Sequence, residues 1–144
     1  MVGMIVGHII YPEEKWIRIM RHDEADTWQV VYSELLETWL LCVIVLMCKY
    51  CPNRAAPTPH FPAIIIGITL AVLIKNGGWI SGGAYNPAIG FSLVFLDPKF
   101  YDTETIGKQF VDLIIYQVVC GCSGILAYVW MRGLHLPLLA GLKE

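Results

Sequence analysis

The chain has 144 residues, of which 56% are apolar and only 15% charged, with a formal net charge of −2. Soluble domains run nearer roughly 45–50% apolar and about 25% charged, so this composition, with a mean hydropathy of +0.58, points to lipid as the solvent. The near-neutral charge offers no basic face for nucleic acid, and the length suits a single domain.

Residues 1–12 are apolar but too short to span a bilayer. They lack a basic n-region and reach Tyr11-Pro12-Glu13-Glu14 without a small-residue cleavage site, so no cleavable secretory signal is expected. Residues 13–28 interleave Trp16, Ile17, Ile19 and Met20 with Lys15, Arg18 and Arg21. Helical spacing gathers the apolar group on one side, as in an interfacial helix or a partner-docking one. Residues 1–29 are thus predicted to form an N-terminal extension.

The first predicted span is Val30 to Lys49, apolar apart from Ser33, Glu34, Glu37 and Thr38. A loop holding Pro52, Pro57 and Pro59 follows. A second helix is predicted from Phe61 to Lys75, ended by Asn76-Gly77-Gly78. Ser81-Gly82-Gly83-Ala84-Tyr85-Asn86-Pro87-Ala88 then reads as a tight loop leading into a short helix, with Asn86 at the N-cap and Pro87 at its first position. That apolar helix runs about ten residues, a length in the re-entrant range. A third span is predicted from Phe110 to Met131, stopped by Arg132-Gly133. The membrane domain covers 30–132 and the tail 133–144. The fold class predicted is an all-α membrane protein with three transmembrane helices, one re-entrant half-helix and an N-terminal interfacial helix. Lys and Arg lean slightly toward the N-terminal side, a small vote for placing it on the cytoplasmic or matrix-like face.

Several residues carry chemistry. Intramembrane carboxylates are costly and mark function or a buried partner. Glu34 is assigned, with Thr38 one turn on, as a brace for the N–H groups of the Gly-rich loop; proton transfer is the other use of such a group. Glu37 has no assigned role. Asn86 either caps the short helix or presents its partially positive end to a permeant oxygen. Gly67 with Ala71, and Cys120 with Gly124, have the spacing of close helix packing, and Gly121 adds to the second group. Cys48-x-x-Cys51 near His60 lacks further metal ligands, so Cys42, Cys48, Cys51, Cys120 and Cys122 are read as small apolar side chains. No nucleophile triad, phosphate loop, metal cluster or cofactor motif is found, so no enzyme is expected.

These residues resemble one half of an aquaporin-type channel of the major intrinsic protein family. Ser81-Gly82-Gly83-x-x-Asn86-Pro87-Ala88 is similar to the family's signature loop. Glu34-x-x-x-Thr38-Trp39 resembles the opening helix of a repeat, and Gln117 with Cys120-Gly121 and Gly124 the closing helix of the first repeat. The resemblance covers about residues 30–132. It implies a half-aquaporin-like fold, a pore corner at Asn86, Pro87 and Ala88 that binds the permeant oxygen, and a loop brace in Glu34. Three departures stand out. Ile89 suits a first repeat but offers no filter arginine, Glu37 replaces a glycine, and Cys120 stands where glycine is usual.

With one such repeat and no internal duplication in the sequence, the expected role is structural. The chain would be a non-enzymatic, half-aquaporin-like subunit in the bilayer, packed among other membrane subunits of a larger complex. An organelle inner membrane such as the mitochondrial one is the expected setting. The alternative is a half-channel that pairs with an opposed repeat-bearing chain to conduct water or small neutral solutes.

Overall fold

The computed structural model describes residues 9–10, 21–50, 60–97, 103 and 106–141, with side chains to Gly133. Four helices organise them: α1 (Thr27–Tyr50), α2 (Phe61–Ser81), α3 (Pro87–Phe95) and α4 (Ile106–Gly141). Thr27–Lys49, Phe61–Ser81 and Ile106–Gly133 are each long and apolar enough to cross a membrane. The nine residues of α3 rise only about 13 Å and cannot. The described residues thus make up an all-helical membrane protein with three candidate spans and one half-helix.

Helix ends depart from the sequence expectation for local reasons. α1 starts at Thr27 rather than Val30, because the Asp26 N–H donates to Gln29 Oε1 at 2.9 Å and its carbonyl accepts from Val30 N. That is one arm of a capping box. α2 does not stop at Asn76-Gly77-Gly78 but runs six residues past Lys75 to Ser81. Its true stop is Gly82, at φ 85°, whose N–H returns to the Gly78 carbonyl. Gly77 serves the helix contact described below instead of a turn. α4 continues through Arg132-Gly133 to Gly141; a glycine costs a helix about 1 kcal/mol relative to alanine and does not by itself end it. The interfacial helix predicted over 13–28 falls mostly outside the described residues. Its described end, residues 21–26, is not helical, and Thr27 and Trp28 open α1.

α1 packs against α2 and α4, and α3 packs against α4. One core cluster gathers Val30, Ala84, Val94, Ile115 and Tyr116, with Ala25 against it. A second gathers Val43, Ala127 and Met131, beside an edge-to-face Trp39–Trp130 pair at 5.2 Å. Small residues set the α1–α4 approach. Cys120, Ser123 and Ala127 are buried there, and Ser123 Oγ lies 3.0 Å from the Leu35 carbonyl, to which it donates. Gly124 meets Cys42 Sγ at ordinary contact distance, and Gly121 meets nothing within 4 Å. Gly67 and Ala71 lie on the exposed face of α2, and no atom comes within 4 Å of a Cβ built on Gly67. The close approach expected of that pair falls instead at Gly77, on the face that looks toward α1.

Candidate functional site: the Asn86 corner

The loop from Ser81 to Asn86 turns the chain back into the bundle. Gly82 and Gly83 have φ of 85° and 71°, and Tyr85 a φ of 45°. Glycine takes this left-handed region freely, whereas a side chain there costs about 1–2 kcal/mol. Such a path leaves backbone groups without helical partners, and lipid supplies none. Glu34, fully buried, meets that need by accepting from Ala84 N at 3.0 Å and Tyr85 N at 2.9 Å.

Other side chains hold the same loop. The Tyr116 hydroxyl donates to the Ser81 carbonyl, and Gln117 Nε2 donates to the Pro87 carbonyl at 2.6 Å. Ser81 Oγ accepts from Gly83 N at 3.1 Å. The Tyr85 phenol reaches back to the Leu73 carbonyl at 3.0 Å. Thr38 does not touch the loop directly; its hydroxyl donates to Cys120 Sγ at 3.4 Å, and the Cys120 thiol donates to Glu34 Oε2 at 3.1 Å. Thr38 and Cys120 thus steady the carboxylate. From the N-terminal side, His22 N donates to the Ile80 carbonyl, while its ring sits edge-on to Trp79.

At the head of α3, Asn86 Oδ1 accepts the Ala88 N–H at 2.9 Å, and its carbonyl accepts from Gly90 N. Gly90 lets α3 lie flat on Tyr116, since a Cβ there would come 2.5 Å from the Tyr116 Cβ. Behind the corner everything is packed. In front, Asn86, Ala88 and Ile89 are exposed. The helix end therefore presents an amide side chain and partial positive charge on an uncovered face.

Residues 1–128 match the profile of the major intrinsic proteins. The chain belongs to the major intrinsic protein family. It is 31% identical over 104 residues to Aquaporin AqpM of Methanothermobacter thermautotrophicus, and 30% identical over the same length to Aquaporin AqpM of Methanothermobacter marburgensis. The alignments cover 72% of this chain and 41% of each relative, so this major intrinsic protein chain spans about two fifths of the length of the curated relatives it matches. No solved structure matches it. Family membership makes it a channel-like integral membrane chain, from a family of channels rather than enzymes.

Three contributors escape a reading of motifs alone. Tyr116 and Tyr85 hold the loop through phenol-to-carbonyl bonds, which leave no periodic trace. Arg21, from the extension, pairs with Asp112 of α4 at 3.3 Å. Asp112, a charge within the apolar run of α4, was the available signal, but nothing in the sequence joins it to Arg21.

Proposed function

We propose that this chain forms one half of the wall of a membrane pore for water or small neutral solutes. Its Asn86 corner would meet an opposed Asn-Pro-Ala corner supplied by a second repeat, on another chain or elsewhere on the same polypeptide. The observation that carries this reading is the contrast at α3: the corner is held from behind by Glu34, Tyr116 and Gln117, while Asn86 itself is exposed. A residue kept only for capping would not need an uncovered face. An N–H-rich helix end favours a solute oxygen and opposes cations.

A second reading keeps the chain as a structural subunit of a larger membrane complex. It is supported by Ile89, which is 45% exposed beside the corner where a filter would need a polar donor, and by the bare apolar face of α2. Stopped-flow swelling of proteoliposomes separates the two. The pore reading expects the chain, purified with whatever subunits accompany it, to raise osmotic water permeability severalfold over empty vesicles, and Asn86→Asp to remove the rise. Permeability at the empty-vesicle level despite full insertion would overturn it and leave the structural role standing.

A further inference from the structure

Glu37 takes no part in holding the loop through its backbone, yet it too is buried. It is 7% exposed and lies between α1 and α2, flush against Gly77. A Cβ built on Gly77 would fall 2.2 Å from both carboxyl oxygens, so the glycine leaves a notch the size of the carboxyl group. Asn76 Nδ2, next to that notch, donates to Glu37 Oε1 at 3.1 Å. Glu37 Oε2 is buried with no hydrogen-bond partner.

The two carboxyl groups differ in what surrounds them. Glu34 receives hydrogens from two backbone N–H groups and one thiol, a full set for an ionised carboxylate. Glu37 receives one. Beside it stands the Tyr85 phenol, whose own hydrogen is given to the Leu73 carbonyl. With that hydrogen spent on Leu73, none is left to join the phenol to Glu37 Oε2. A proton on Oε2 supplies it: Asn76 donates to the carbonyl oxygen of the acid, the acid donates to Tyr85, and Tyr85 donates to Leu73. Every polar atom in that chain then has a partner, which a buried network requires.

The surrounding charges agree. Among the described residues no Lys or Arg lies within ion-pair distance of Glu37. The ionisable groups that bear on it are Tyr85 from the loop and Glu34, one turn away on its own helix; α2 contributes the amide of Asn76 and the Gly77 backbone. A second unpaired negative charge there would be expensive, and buried carboxyl groups avoid it by holding a proton.

We propose that Glu37 is a proton-binding site inside the membrane domain, a neutral carboxylic acid whose hydrogen ties α1 to Tyr85 of the re-entrant loop. The site does not depend on the chain conducting anything.

Infrared difference spectroscopy of the purified chain at neutral pH tests it. The expected result is a protonated-carboxyl C=O band that is missing from Glu37→Gln and retained in Glu34→Gln. In Tyr85→Phe the band moves to higher frequency, because the acceptor is lost. Glu37→Gln is expected to fold and to keep the wild-type Tm, since the amide reproduces the neutral acid in shape, acceptor and donor. Loss of a carboxylate band in Glu37→Gln, an unmoved C=O band in Tyr85→Phe, or a Glu37→Gln chain that does not fold would each overturn the proposal.

Discussion

Glu34 and Glu37 stand three residues apart on α1 and are asked for opposite things. Glu34 must accept, because Ala84 N and Tyr85 N point at it from a loop that has no other partners. Glu34→Gln removes one acceptor oxygen and turns an amide N–H toward a backbone N–H. Leaving a buried donor unmet costs about 1–3 kcal/mol, so this variant is expected to lower Tm. Hydrogen exchange at the Ala84 and Tyr85 amides should accelerate with it, while exchange in the second half of α4 stays put. Gly90 is the other residue with no slack. Alanine there drives a methyl to 2.5 Å from the Tyr116 Cβ, and Tyr116 is fully buried and bonded to Ser81. Overpacking of this kind costs about 1–3 kcal/mol, and thermal unfolding in detergent is the measurement.

Among the elements, the segment before α1 is fastened to the bundle by more than its own helix. Arg21 and Asp112 approach to 3.3 Å with side chains only 10% and 9% exposed, and Arg21 also donates to Thr27. Breaking a buried pair from one side strands a charge and costs about 3 kcal/mol. Arg21→Met is therefore expected to destabilise strongly and Arg21→Met with Asp112→Leu to recover most of the loss, a double-mutant cycle read by Tm. The same pair marks a boundary of what sequence reveals. The three spans, the half-helix and the Asn86 cap were legible because apolar length and an Asn-Pro start are local signals. The end of α2 was not, because a glycine kept for closeness at Gly77 is spelled like a glycine kept for a turn; only its neighbour, Glu37, tells them apart. Thr38 was assigned to the loop from its spacing to Glu34, but one turn along the helix places it on Cys120, so it acts through the thiol.

For the molecule as a whole, the question is what its outer faces meet. Ile64, Ile68 and Val72 on α2 are 56%, 60% and 59% exposed, and Ile125 and Val129 on α4 are 65% and 60% exposed. In water such faces would aggregate; in a bilayer they are matched by acyl chains, and van der Waals fit rather than apolarity decides what sits on them. Gly67 lies on the α2 face with open space where its Cβ would be. Gly67→Leu therefore fills nothing and displaces nothing within this chain. Its effect on the purified chain in detergent is expected to stay within about 0.5 kcal/mol, as for surface changes generally, in contrast to Gly90→Ala. Comparing the two Tm shifts separates glycines that this fold needs from glycines that only a neighbour could need. A clear fall in Tm for Gly67→Leu, together with a smaller particle in light scattering, would mean that copies of the chain pack through this face. An unchanged particle with an unchanged Tm leaves the face to lipid.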